Sequence, residues 1–198
     1  MMAQFLAALR ALSPWEALAV VTGVTYVLLI LRRNRWGWVS GAISSSIYVF
    51  LAAGAHLPMQ SVLNGYYVVM AVYGWFSWTR NAQEEAGRIY RWPLRNHAIS
   101  ALVIVAASFA SAHFLAAETG AAWPMLDSLT TWTSLVATWL VTRSVLENWI
   151  YWISADLVTV FLYARQDHAL SAGLFVTYMI IACFGFTAWL RRYRTQAP

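Results

Sequence analysis

The stretch NWIYWISAD at residues 148–156 decides the fold, because it places a carboxylate inside an otherwise apolar run that continues to Tyr163. At a rise of about 1.5 Å per residue, Asp156 would lie roughly 12 Å along a helix that begins at Asn148. A membrane's hydrocarbon core is about 30 Å thick, so this depth is near its middle. An ionisable side chain there is costly unless it faces protein or water, which makes Asp156 a candidate functional residue.

The polar and aromatic residues of this segment share one helix face. At about 100° per residue they fall within a sector roughly 100° wide. Two interpretations stay open: a substrate-binding face, or a carboxylate that bonds a neighbouring helix beside indoles that anchor at the membrane interface. The face carries Asn148, Trp149, Trp152, Asp156, Thr159 and Tyr163.

The composition is that of a polytopic membrane protein. Of 198 residues, 61% are hydrophobic and 11% are charged, which does not suit a soluble core. The net charge of +5 comes from arginines in predicted loops, so no nucleic-acid partner is expected. The lone Cys183 excludes a disulfide or a CxxC metal site within one chain. No cofactor or metal is expected, and residues 1–14 are expected to be retained because no convincing cleavage site follows them.

Seven segments are long enough to cross a membrane. The predicted fold is therefore an all-α integral membrane protein with seven transmembrane helices. The segments run at about 14–31, 36–55, 59–78, 97–117, 127–142, 148–163 and 171–190. They divide into a first three-helix group at 14–78, a cytoplasmic loop at 79–95, a linker helix at 96–117, a second three-helix group at 127–190 and a cytoplasmic tail at 191–198.

Arginine placement predicts the orientation. Only Arg10 and Arg165 fall on one side of the predicted membrane, and the other eleven arginines fall on the opposite side. Positive charge accumulates in cytoplasmic loops, so the N-terminus is expected outside and the C-terminus in the cytoplasm.

An internal repeat predicts how the helices are arranged. WGW at 36–38 aligns with WIYW at 149–152 at an offset of 113, and YGWFSW at 73–78 aligns with FGFTAW at 184–189 at an offset of 111. Three helices reverse the chain direction and a fourth restores it, so the two copies would run parallel in a 3+1+3 arrangement. This architecture is typical of transporters, with a site between the halves, where Tyr67 and Tyr178 could face each other.

The blocks YGWFSW at 73–78 and ENWIYWISAD at 147–156, with Tyr178 and the closing segment 185–189, resemble the PnuC-type vitamin transporters over about residues 15–192. The resemblance implies a fold similar to the SWEET proteins. For the type member it implies uptake of nicotinamide riboside across the bacterial inner membrane by facilitated diffusion, with trapping by cytoplasmic phosphorylation.

By the same resemblance, the substrate contacts on the sixth helix are Asn148, Trp149, Trp152 and Asp156. On the third helix the family usually carries an Asp and, four residues later, a Gln, where this chain has Gln60 and Asn64. This departure leaves the vitamin open, because relatives are believed to carry thiamine, riboflavin or deoxynucleosides.

The chemistry of nicotinamide riboside agrees with these residues. Its pyridinium ring is a cation that binds aromatic faces, and its ribose and carboxamide need amides and hydroxyls in a mostly apolar pocket. A carboxylate would balance its charge. Thiamine is also an aromatic cation and remains an alternative, whereas neutral riboflavin fits the acid less well. The third helix offers a second stripe, from Gln60, Asn64 and Tyr67, for substrate contact or for hydrogen bonds between helices.

Two other classes compete with a transporter. A membrane enzyme is disfavoured because only His113 lies inside a span, and no HExxH, GxSxG or acidic metal cluster occurs. A seven-helix receptor is the other alternative, and flux through the purified protein separates all three. The chain has no Lys and no carboxylate–histidine relay, so we expect uniport without ion coupling. Membrane lipid is an expected partner, and a homo-oligomer is possible.

Overall fold

The computed structural model describes residues 13–54, 58–80, 87–118, 123–165 and 169–196. Within these ranges the protein is all-helical, apart from one isolated parallel bridge between Tyr90 and Val145. The seven predicted helices are confirmed. They are α1 (Pro14–Leu31), α2 (Trp36–Gly54), α3 (Pro58–Arg80), α4 (Leu94–Glu118), α5 (Pro124–Thr142), α6 (Asn148–Arg165) and α7 (Ala169–Gln196).

Several helix boundaries differ from the sequence prediction, among them the start of α4, which is Leu94 rather than His97. Helix α5 begins at Pro124 rather than near Asp127, because proline is well placed in a first helical turn. Helix α7 continues to Gln196 through the predicted tail, since the arginine-rich segment contains good helix formers and no Gly or Pro. Arg10, loop residues 81–86 and tail residues 197–198 lie outside the described residues.

The chain divides into two compact units, Met1–Gly87 and Arg88–Pro198. In the first unit, α2 packs against both α1 and α3. In the second unit, α6 packs against both α5 and α7, and α4 packs against α5. Each unit therefore has a middle helix that contacts the helices before and after it.

Four helices, α1, α2, α4 and α7, are long and apolar enough by length and composition to cross a membrane. The other three carry more polar side chains, and on α5 these point inward. Ser128, Thr133 and Thr138 are buried, and the hydroxyl of each of the two threonines donates a hydrogen bond to a carbonyl one turn earlier. Such bonds satisfy a hydroxyl without water, so the polarity of α5 is compatible with a membrane helix.

The helix-to-helix turns before α2 and α6 have the same geometry. Arg33 has φ 60° and Ser144 has φ 58°, which is the left-handed conformation that ends many helices. The backbone bonds correspond at the same sequence offset as the YGWFSW and FGFTAW blocks. In the first turn, Arg33 N–H donates to Ile30 O and Asn34 N–H donates to Leu29 O. In the second turn, Ser144 N–H donates to Val141 O and Val145 N–H donates to Leu140 O.

A buried indole packs against a glycine in the first unit. The ring of Trp38 on α2 lies edge-on to Trp78 on α3, with centroids 5.2 Å apart. A Cβ added at Gly74 would overlap the indole of Trp38. The glycine therefore permits α2 and α3 to approach closely, as small residues do at membrane helix interfaces.

The second unit contains the same contact at the equivalent positions. Trp149 on α6 lies edge-on to Trp189 on α7 at 5.5 Å, and a Cβ at Gly185 would lie 2.7 Å from the indole of Trp149. The contacts thus match Trp149 with Trp38. The sequence alignment at an offset of 113 matched Trp149 with Trp36 instead. The contacts agree with the offset of 111 given by the second block and correct this match by two positions.

Gly74→Ala and Gly185→Ala should each destabilise the protein by about 1–3 kcal/mol, because the new methyl group displaces a buried indole. Thermal unfolding in detergent measures the effect. Gly65→Ala on α3 and Gly173→Ala on α7 are the matched controls, since nothing lies within 4 Å of a Cβ at either position. Both controls should keep or raise the melting temperature because alanine favours helix. Equal losses in all four variants would contradict the proposed contact.

Candidate functional site

Asp156 is a buried carboxylate without a partner in the described part of the chain. It lies on α6, two turns after the helix begins, and is 5% exposed. Within the described residues it forms no hydrogen bond or ion pair. An isolated buried carboxylate is unfavourable unless a cation or hydrogen-bond donor compensates its charge. The site therefore lacks one positively charged or donating group, which a ligand could supply.

An aromatic series joins α6 to α7 beyond Asp156. Tyr163 stacks on Phe175 with centroids 5.6 Å apart, and Phe175 lies edge-on to Tyr178 at 5.9 Å. The structure thereby places Tyr178 on the helix that packs against the α6 face. Sequence reasoning missed Phe175, although its spacing of three residues from Tyr178 puts both on one face of α7.

Two polar groups at the beginning of α6 are buried and have no partner among the described residues. The Asn148 side-chain nitrogen donates to the carbonyl of Val145 at 2.6 Å, but its Oδ1 accepts no hydrogen bond from them. The indole N–H of Trp149 also donates none, and Trp149 is only 2% exposed. Trp38 shows the same unpartnered N–H in the first unit. The Trp149 N–H therefore lacks a partner in the same way as that of its counterpart in the first unit. The Asn148 oxygen is an acceptor without a partner among the described residues, and its side chain is fully buried.

Trp152 and Thr159 complete the α6 face. Both are half-buried, so each retains some accessible surface beside buried Asp156. The Thr159 hydroxyl donates to the carbonyl of Ala155 at 2.8 Å, which leaves its oxygen lone pairs as acceptors. The face thus combines one carboxylate with an indole and a hydroxyl.

The three candidate residues on α3 belong to the first unit. Gln60 is exposed and Asn64 is half-buried, and the Asn64 side-chain nitrogen donates to the carbonyl of Gln60 at 2.9 Å. Tyr67 is half-buried, and its ring lies 5.9 Å from that of Tyr66. The structure therefore divides the candidate residues into Gln60, Asn64 and Tyr67 on α3 and Asn148, Trp149, Trp152, Asp156 and Tyr178 on α6 and α7.

Glu147, which lies directly before α6, is a buried acid. Its carboxylate accepts hydrogen bonds from Arg91 Nε at 2.8 Å and from the Trp92 backbone N–H at 3.3 Å. The hydrogen bond and charge of Glu147 raise the pKa of Arg91 above its ordinary value. Nearby, the ring nitrogen Nδ1 of His97 is hydrogen-bonded to the Tyr151 hydroxyl at 3.0 Å. The signal that could have revealed Glu147 is its position at the start of the ENWIYW block.

Metal-binding side chains are not grouped in the described part of the chain, where no three His, Cys, Asp or Glu residues come together. The arrangement on α6 is instead suited to an organic ligand. It offers a carboxylate for a positive charge, aromatic surface for a ring, and amide and hydroxyl oxygens for polar substituents.

Comparison with known proteins finds similarity along nearly the whole chain. The family model described as nicotinamide mononucleotide transporter matches residues 13–191. The riboflavin/roseoflavin transporter RibM of Streptomyces davaonensis is 27% identical over 90% of this chain and 85% of that protein. The nicotinamide riboside transporter PnuC of Escherichia coli is 23% identical over 91% and 87%, and that of Neisseria mucosa 26% over 89% and 72%.

One solved structure shares the fold. The crystal structure of the vitamin B3 transporter PnuC aligns with a TM-score of 0.73 at 22% identity, covering 91% of this chain and 82% of that one. At this identity the likeness describes the backbone arrangement only.

Asp156→Asn should leave the melting temperature of the ligand-free protein unchanged or raise it, because the substitution removes an uncompensated buried charge. Glu16→Gln is the control. Glu16 lies in the first turn of α1 and accepts a hydrogen bond from the Ser13 backbone N–H at 2.7 Å, so its neutralisation should not raise the melting temperature. A fall of more than about 3 °C in Asp156→Asn, on the order of 1 kcal/mol, would show that Asp156 has a stabilising partner.

Proposed function

Because this chain belongs to the nicotinamide mononucleotide transporter family, we propose that it takes up nicotinamide riboside by facilitated diffusion, with trapping by phosphorylation in the cytoplasm. The family and its relatives are multi-pass membrane transporters of vitamin-like molecules and not enzymes. The proposed location is the bacterial inner membrane, with the N-terminus outside and the C-terminus in the cytoplasm.

The observation that carries this proposal is the carboxylate of Asp156, which has no partner among the described residues. Nicotinamide riboside has a pyridinium cation and no negative group, so it would supply the missing positive charge. A neutral substrate would leave the buried carboxylate uncompensated, which costs several kcal/mol unless the carboxylate is paired. This cost applies to Asp156 because its side chain is only 5% exposed to solvent.

The remaining residues are assigned roles by their chemistry. Trp152 offers its ring face to the pyridinium, an attraction of about 0.5–2 kcal/mol. The unpartnered Oδ1 of Asn148 accepts a hydrogen bond from the carboxamide or a ribose hydroxyl. Trp149, held by Trp189, forms the wall behind them. Tyr178 on α7 and the α3 residues Gln60, Asn64 and Tyr67 contribute hydroxyl and amide groups for the ribose.

We also propose the 3+1+3 architecture with two parallel repeats, comprising residues 14–78 and 127–190, with a linker helix at 96–117. Support comes from two features that recur at one and the same sequence offset: the left-handed turn at Arg33 and Ser144, and the tryptophan–glycine contact of Gly74 and Gly185. Helix α4 takes part in neither feature, as expected for a linker.

Riboflavin is the second candidate substrate, because the RibM relative is a riboflavin/roseoflavin transporter and is 27% identical to this chain. Its isoalloxazine ring would use the same aromatic surface. It carries no positive charge to pair with Asp156, which is the reason for placing it second. Thiamine, a thiazolium cation, satisfies the charge requirement as nicotinamide riboside does.

Calorimetric titration of the purified protein with nicotinamide riboside, thiamine and riboflavin side by side should show the tightest binding for nicotinamide riboside. Asp156→Asn and Trp152→Ala should each weaken that binding by about tenfold or more, because a buried charge-assisted contact and a ring contact are lost.

The controls for this titration are Glu16→Gln in the first unit and Trp123→Ala. Trp123 contacts Phe161, and both Glu16 and Trp123 lie outside the candidate set. Both should bind as the wild type does. Normal binding by Asp156→Asn and Trp152→Ala would contradict the α6 assignment. Binding of riboflavin alone would identify riboflavin, and not nicotinamide riboside, as the substrate.

Proteoliposomes without a membrane potential should equalise nicotinamide riboside across the bilayer without concentrating it, because a uniporter transmits only the substrate's own gradient. The measurement is uptake of labelled substrate with and without an imposed proton or sodium gradient. Accumulation above the external concentration in either gradient would overturn uniport, and protein-free liposomes provide the control.

A further inference from the structure

A short segment at residues 88–93, here called the strap, runs along the turn between α5 and α6. The Tyr90 N–H donates to the carbonyl of Ser144 at 2.9 Å, and the Leu146 N–H donates to the carbonyl of Tyr90 at 2.8 Å. The Ile89 N–H donates to the side-chain oxygen of Gln196 at 2.9 Å. The strap is therefore joined both to the residues that lead into α6 and to the end of α7.

Glu147 adds side-chain contacts to the same strap. It is 6% exposed, and it binds Arg91 and the Trp92 N–H of the strap, while His97 Nε2 lies 3.9 Å from its second oxygen. The Trp92 indole packs on Trp139 of α5 at 5.4 Å. A buried carboxylate held by a guanidinium and an amide is a strong and directional contact.

The turn itself does not need this contact. The equivalent turn in the first unit has the same backbone bonds and the same left-handed residue, yet the residue of that turn equivalent to Glu147 is Trp36. That side chain carries no charge and is 57% exposed. A turn of this kind therefore forms without a buried acid, and the role of Glu147 must be sought in the unit to which it belongs.

What distinguishes the second unit is the face that follows Glu147. Asn148 is the next residue, and Asp156 lies about two helical turns further along the same helix. Between these two residues of α6, Tyr151 is hydrogen-bonded to His97 of α4, which fixes the first turn of the helix. Because a helix rotates as a rigid body, contacts at its first residues set the direction of the side chains that follow.

We propose that Glu147 is a positioning residue for substrate binding: by holding Arg91 and the strap, it sets the orientation of α6 and of the face that carries Asn148, Trp152 and Asp156. This inference rests on the proposed function. Glu147 touches no substrate; it acts through the helix that follows it.

Arg91→Gln tests the inference from the accessible side of the contact, because the Arg91 side chain is 57% exposed and its loss removes no core packing. Nicotinamide riboside should bind about tenfold more weakly to a protein that stays folded at the titration temperature. The melting temperature should fall by a few degrees, because Glu147 keeps the Trp92 N–H but loses its cation. Arg91→Lys, which keeps a charged donor, should restore most of the affinity. Arg95→Gln is the matched control: it removes the same charge from an exposed residue and should bind normally.

The pair Arg91→Gln and Glu147→Gln completes a double-mutant cycle with binding as the measured quantity. If the two residues act together, the double variant should bind no more weakly than the weaker single variant. Wild-type affinity in Arg91→Gln would overturn the inference, and so would additive losses in the double variant. Neither result would affect the proposed function as long as the wild-type protein binds nicotinamide riboside. Failure of the wild-type protein to bind nicotinamide riboside, thiamine or riboflavin would overturn both.

Discussion

The close contact between a tryptophan and a glycine is the interaction on which each unit depends. Helices in lipid gain little from hydrophobic burial against one another, so their association needs van der Waals packing. Trp38 reaches the backbone of α3 because Gly74 has no side chain, and Trp149 reaches α7 because of Gly185. The left-handed turn before each middle helix positions its tryptophan against this glycine.

The two middle helices share this turn and this contact, but they carry different chemistry. The residues of α2 equivalent to Asn148, Trp152 and Asp156 are small: Gly37, Gly41 and Ser45. A Cβ at Gly41 would lie 2.7 Å from the Tyr26 ring, so α2 uses this face for packing against α1. Helix α6 instead presents an amide, an indole and a carboxylate. The same face therefore packs against a neighbouring helix in α2 and is a candidate binding face in α6.

Polarity inside the second unit is largely satisfied, which makes its exceptions informative. The threonines of α5 bond to their own helix backbone, and Glu147 is paired with the strap. Among the described residues, Asp156 and the Asn148 oxygen have no such partner, and neither do the buried hydroxyls of Ser108 and Ser128. Asp156 is the acid among these groups. Proteins retain uncompensated buried charges mainly where function needs them, and in the proposed function Asp156 binds a cationic substrate.

The sequence by itself determined the seven helices, the membrane class, the family and the absence of an enzyme motif, because hydropathy, periodicity and the NWIYWISAD block are local properties. The helical face of Asn148, Trp152 and Asp156 followed from spacing along one helix, and its role in binding stays a prediction. Only the tertiary structure decided that Trp149 corresponds to Trp38, that Gly185 receives it, and that Glu147 holds the strap. These contacts join residues distant in sequence, and the physical reason is that local patterns indicate which face is apolar or polar but not which neighbour the folded chain brings against it.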